Sequence, residues 1–264
     1  MFLQVIFICI SLFNCTNKLH ASAKEPSIQN IYVDPALFLK INDLRMAMAI
    51  GATAITKFLA TNWKKPTEED LYEPLKSASA KSTIQTFKNG QALPLILSDW
   101  LTQKSDAEEL EDTMNRHLNL HSKTKKGTAH GTIIRNAVSA LINPEKCIAL
   151  HDLLPKNILL FKQLAKQGYR IYLAGNFAYP KILQEKYSEH LGFIEEWHLS
   201  GETGLLKPSP DFFSIIKQDP SECLFIETEA QHCLTDLRNI LLPDPTNSES
   251  LLVELKKNGI TLDE

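Results

Sequence analysis

Cysteine is scarce in this chain, and the few copies form no recognisable set. They are Cys9, Cys15, Cys147, Cys223 and Cys233. The first two fall in an N-terminal stretch that reads as removable. The remaining three cannot form a fully paired framework, so a disulfide scaffold is excluded. No CxxC and no Cys/His zinc spacing occurs. Cys223 and Cys233 flank a short apolar run and read as small core residues. Charge of one sign is lacking too: the formal net charge is −3. The one basic tract, Lys123-Thr-Lys125-Lys126, reads as a solvated loop, so no nucleic-acid partner is expected. An apolar run long enough to span a membrane comfortably is also missing.

The first 23 residues differ from the rest. Phe2 to Phe13 is nearly all apolar, and Ala21-Ser22-Ala23 gives a small-residue cleavage signature. Residues 1–23 therefore read as a secretory signal peptide, although Met1-Phe2-Leu3-Gln4 carries no Lys or Arg. Secretion or a periplasmic location is the expectation, without membrane association after cleavage. The alternative is a retained N-terminal anchor. Loss of Lys18 would take the net charge from −3 to −4. The remaining length can bury a substantial core, and the composition, 44% hydrophobic and 22% charged, is that of a globular protein.

The informative stretch runs from Gly168 to Phe213. Tyr169-Arg-Ile-Tyr-Leu-Ala174 is β-branched and aromatic, as a strand of a covered sheet should be. It stops at Gly175-Asn176, a turn pair. A helical pattern follows from Pro180 to His190. Then come Gly201-Glu-Thr-Gly204 and Lys207-Pro208-Ser209-Pro210, where two prolines stiffen the backbone after the lysine. A polar turn at a strand's C-terminal end, with a lysine on a rigid loop, is how an α/β sheet builds an anion site. Upstream, Ser27 to Val33 reads as a first strand ending at Asp34-Pro35-Ala36-Leu37-Phe38. Downstream, Cys223-Leu-Phe-Ile226 reads as a buried strand ending at Glu227-Thr228-Glu229.

Between the first and second strands the chain reads as mostly helical. Leu44 to Leu59 has apolar residues at helical spacing, and Thr67-Glu-Glu-Asp70 reads as a capped helix start. Leu93 to Leu101 is apolar, and Asp106 to Leu118 is a charged helix. Ser122 to Gly131 reads as a polar loop, and Thr132 to Leu141 as helix. Asn157 to Lys166 is amphipathic and capped by Gly168. The tail after Pro243 reads as a turn and a helix, Ser248 to Lys257.

The order of these features resembles the haloacid dehalogenase-like (HAD) hydrolases, in the variant with a helical cap inserted after the first strand. GLLKPSPDFF is the most specific part of the match. The resemblance implies an α/β fold, a Rossmann-like doubly wound parallel sheet. It divides the chain into a core of residues 24–38 and 151–264 and a cap of residues 39–150. It implies Asp34 as the carboxylate nucleophile and Lys207 as the cation that neutralises it and the phosphoryl oxygens. Gly175 and Asn176 fall where the family binds the phosphoryl group, and Asn176 is carried over as catalytic. Magnesium is the implied cofactor, with Asp34, the backbone carbonyl of Ala36, Glu227 and Thr228 as its candidate ligands.

The departures are as informative. Ala36 replaces the aspartate that protonates the leaving group, Phe38 the hydroxyl or Val position, Gly175 a hydroxyl residue, and Glu227-Thr228 the aspartates. His232 reads as a surface residue. Two functions follow. One is a phosphatase-type hydrolase of a small phosphorylated molecule, weak or altered. The other is a non-catalytic relative that binds an unknown protein partner outside the cytoplasm. A metal-independent dehalogenase also lacks the second aspartate, but its arginine and serine partners are not evident.

Overall fold

The structure, a computed structural model, describes residues 27–61, 81–86, 90, 92–121 and 125–262. The expected signal peptide and the helix start at Thr67 lie outside those residues. Among the described residues no helix is long and apolar enough to cross a membrane.

The core is a five-stranded sheet in which every pairing is parallel. Its strands are β1 (Asn30–Val33), β6 (Arg170–Gly175), β7 (Ile194–Leu199), β8 (Cys223–Glu227) and β9 (Asn239–Leu241). The spatial order is β7-β6-β1-β8-β9. The chain builds outward on one side of β1, through β6 and β7. It then returns to the other side for β8 and β9. Ligands of open α/β sheets bind beyond the strands' C-terminal ends, where that direction reverses. Here the reversal lies around β1.

The register places two different layers on the two faces of the sheet. Ile31 and Val33 point with Ile171, Leu173, Leu224 and Ile226 into the larger apolar core. Tyr32 points the other way, opposite Tyr172 and Phe225. Its ring stacks on both, with centroids 4.6 Å and 4.8 Å apart. Phe213 closes edge-on against Phe225. Tyr32 Oη donates to Gln218 Oε1, and Gln218 Nε2 donates to Tyr172 Oη, which satisfies the phenols at the end of the stack. Phe38 sits in the larger core, edge-on to Phe161 and Phe193.

A long insertion separates β1 from β6. Its neck is an antiparallel pair, β2 (Leu39–Ile41) with β5 (His151–Leu153). Beyond the neck lie α1 (Asp43–Ile50), α2 (Ala52–Thr61), a hairpin of β3 (Lys81–Gln85) and β4 (Ala92–Pro94), α3 (Leu95–Leu101), α4 (Ala107–His121), α5 (Lys125–Ile142) and α6 (Pro144–Ala149). Met46, Ile50, Ala54, Ala140 and Leu150 form its own small core. The segment from Lys125 to Gly131, expected as loop, is the first part of α5. Packing of α5 on α1, α2 and α4 overrides the low helix propensity of its two glycines.

Several hydrogen bonds fasten the insertion to the core beyond the C-terminal ends of the strands. Trp100 Nε1 donates to Tyr179 Oη (2.8 Å), which donates to the Ile142 carbonyl. Ser200 Oγ donates to the Leu101 carbonyl (2.8 Å). Gln231 Nε2 donates to the Thr86 carbonyl (2.6 Å). Tyr179, Ser200 and Gln231 all lie just past the C-terminal ends of β6, β7 and β8. The remaining core helices are α7 (Pro155–Lys166), α8 (Pro180–Leu191), the single turns α9 (Ser200–Thr203) and α10 (Pro210–Ser214), and α11 (Ser248–Lys257).

Candidate active site

Three adjacent strands deliver a residue each to the point where the sheet reverses. Asp34 follows β1, Gly175 ends β6 and Glu227 ends β8. Asp34 caps a 3-10 turn that begins with Pro35, a residue whose fixed φ suits that first position. Asp34 Oδ1 accepts the Ala36 N–H at 2.8 Å. The Asp34 N–H donates to the Ile226 carbonyl, which ties the turn to β8. The turn thus fixes one carboxylate oxygen. Burial raises the Asp34 pKa, and the Lys207 charge and the Ala36 N–H hold the rise back.

Lys207 is fully buried. Gly204, at φ 70°, ends α9 in the left-handed region and turns the chain towards it. The amide of Asn176 then grips its backbone twice. The Lys207 N–H donates to Asn176 Oδ1 (2.9 Å), and Asn176 Nδ2 donates to the Lys207 carbonyl (3.0 Å). The Asn176 side chain, expected to act in catalysis, is engaged on both its amide atoms by the backbone of Lys207. The ammonium in turn donates to the Ala174 carbonyl (2.8 Å) and to Glu227 Oε1 (2.5 Å).

Glu227 is as deeply buried as the lysine. Burial pushes its pKa up to about 7, the ammonium opposes this, and the Asp34 carboxylate adds to it. Lys207 occupies only one of its oxygens. Oε2 is buried and has no hydrogen-bond partner. Thr228 and Glu229 beside it are half-buried.

His232 corrects the sequence reading. It lies in the 3-10 turn after β8, 7% exposed, and not on the surface. Burial and the Lys207 charge push its pKa down to about 3, so the ring is neutral. Neither ring nitrogen has a hydrogen-bond partner. Its Nδ1 stands 4.0 Å from Glu227 Oε2. One ligand atom each from Asp34, Glu227 and His232 fall within 4.8 Å of one another. The local signal was a histidine five residues after the strand-end glutamate, which a tight turn can fold back beside it.

Gly175 has a structural cause. A Cβ on Gly175 would stand 2.4 Å from Pro35 Cδ and 3.6 Å from Asp34 Oδ2. The proline ring fills the place a serine or threonine would need. Pro35 and Gly175 are therefore packed as a pair across two strands.

The carboxylates and the unpartnered buried atoms fit a divalent cation, with Asp34 and Glu227 as oxygen donors. Ala36 brings no side-chain oxygen. Its N–H is engaged by Asp34.

No protein-family model matches the chain, and no curated protein matches it in sequence. Solved structures do. A HAD family enzyme from Bacteroides thetaiotaomicron is 14% identical, with 82% of this chain and 94% of that one covered, at a TM-score of 0.48. A predicted HAD-like family hydrolase from Porphyromonas gingivalis is 16% identical over 88% of this chain and 99% of that one, also at 0.48. The chain is similar, at low identity and along most of its length, to these and to a putative HAD-hydrolase of Bacillus subtilis bound to magnesium (16%, 88% and 100%, 0.45).

Proposed function

We propose that the chain is a HAD-like hydrolase of phosphatase type in which Asp34 is the nucleophile. The observation that carries this reading is the buried meeting of Asp34, Lys207 and Glu227 at the C-terminal ends of β6, β1 and β8. The order of the motifs along the chain supports it. Asp34 has one oxygen held by a backbone N–H, which orients the other for attack. Lys207 supplies a fixed positive charge beside it, in a dry site where such a charge acts strongly. A divalent cation held by Asp34 and Glu227 would supply further charge neutralisation on the phosphoryl oxygens.

The missing acid at position 36 shapes the chemistry. The Asp34 carboxylate would form a bond to phosphorus as the bond to the leaving oxygen breaks. With alanine at 36, no side chain there protonates that oxygen. Loss of a general acid slows such a step by roughly 10²–10⁴-fold. The site is thus suited to leaving groups stable as anions, such as aryl or acyl oxygens. Water then attacks the aspartyl phosphate, releases phosphate and restores the carboxylate. The expected preference is p-nitrophenyl phosphate far above glycerol phosphate, checked by phosphate release.

A second reading, a binding protein without catalysis, is favoured by one observation. The Pro35 ring stands where the second strand's hydroxyl residue would be. Absence of phosphate release from either substrate, with any divalent cation, would select that reading.

A further inference from the structure

We propose that His232 is a metal ligand and that, with Asp34 and Glu227, it makes the site selective for a first-row transition ion over magnesium. This rests on the reading above that the site holds a divalent cation. Buried polar side chains nearly always have a partner. Glu227 Oε2, His232 Nδ1 and His232 Nε2 have none. All three belong to one cluster, and Glu227 and His232 face each other across 4.0 Å. That distance is too long for a hydrogen bond. It suits two atoms on one ion, since bonds of about 2.1 Å place such atoms about 3–4 Å apart. The 4.8 Å limit that contains all three donors needs only a small contraction.

The donor set then chooses the ion. Magnesium takes oxygen ligands in near-ideal octahedral geometry. Imidazole suits iron, nickel, copper and zinc, and affinity for nitrogen and oxygen sites rises from iron through cobalt and nickel to copper. Charge agrees with this. Two carboxylates against one ammonium leave a buried excess of negative charge, which is expensive to keep. A divalent ion turns that excess into one positive charge, the sign a phosphoryl substrate needs.

The test measures binding and does not depend on activity. The chelator-treated chain is titrated with Co2+, followed by visible absorption and calorimetry, and then with Mg2+ in competition. His232→Gln, His232→Asp and Asp34→Asn are treated alike. The expected result has Co2+ bound tighter than Mg2+ by at least about a hundredfold, with nitrogen-containing ligation in its spectrum. His232→Gln should weaken Co2+ by at least about tenfold. His232→Asp keeps a ligand in place and should bring Mg2+ level with Co2+, which separates ligand loss from misfolding. Equal affinity for the two ions in the parent chain, unchanged in His232→Gln, would overturn the role of His232 and leave the hydrolase reading standing. Binding of neither ion would overturn this inference, and phosphate release that survives chelation would then show Asp34 and Lys207 working without a metal.

Discussion

The same three strands, β6, β1 and β8, carry two very different layers. Midway along them Tyr172, Tyr32 and Phe225 stack ring on ring, with the phenols satisfied through Gln218. At their C-terminal ends stand Gly175, Asp34 and Glu227, with Lys207 and His232 pressed among them. Both layers are buried. The stack removes apolar surface from water and leaves nothing unpaired. The rim buries two carboxylates, an ammonium and an imidazole, and leaves three polar atoms without partners. The first layer holds the sheet together. The second opposes it, and groups so perturbed cluster at functional sites.

That contrast can be broken by substitution. The largest effect is expected in the stack: Phe225→Ala should lower stability by about 3–5 kcal/mol, read from chemical denaturation. Asp34→Asn, one residue beyond β1, should leave stability unchanged or raise it. Lys207→Met comes next. It leaves two buried carboxylates uncompensated, for a loss of about 3–5 kcal/mol at pH 8. The deficit should shrink as pH falls, because protonation of Glu227 removes one charge. Adding Glu227→Gln should recover most of it.

Gly175→Ser should cost about 1–3 kcal/mol, because its Cβ meets Pro35. Pro35→Ala in the same chain should remove that penalty, whereas independent effects would simply add. Near neutral pH the smallest effect belongs to His232, whose contribution changes only on acidification. Its folded pKa, about 3, lies below the ordinary histidine value of 6.5. The stability it contributes is present above pH 6.5 and is lost as pH falls towards 3. His232→Gln should flatten the pH dependence of the melting temperature across that window, compared with the parent chain.

The sequence exposes the stack and the rim unequally. Strand β6 announces itself through alternating aliphatic and aromatic residues, and Gly168, at φ 98°, closes the helix before it. The helices Pro180–Leu191 and Ser248–Lys257 follow from their apolar spacing. Asp34, Lys207 and Glu227 were legible because each terminates or follows a recognisable run. β7 was not, since Ile-Glu-Glu-Trp-His-Leu is an edge strand with a mixed face, and β9 has three residues, too few to show a period. His232 was hidden for another reason. Its burial comes from a turn that folds it against Glu227, and its place five residues after that glutamate is the one local hint of it. The bonds of Asn176 to the Lys207 backbone were not legible either, because they join residues 31 positions apart.

Covalent chemistry at the rim through Asp34, as proposed above, is best probed by hydrolysis of p-nitrophenyl phosphate. The parent chain and Asp34→Asn are assayed side by side with Mg2+, Mn2+ and Co2+. The expected result is cation-dependent release of p-nitrophenol by the parent chain and a loss of roughly a thousandfold or more in the variant. Equal rates in the two, or no release by the parent chain with any of the three ions, would contradict it.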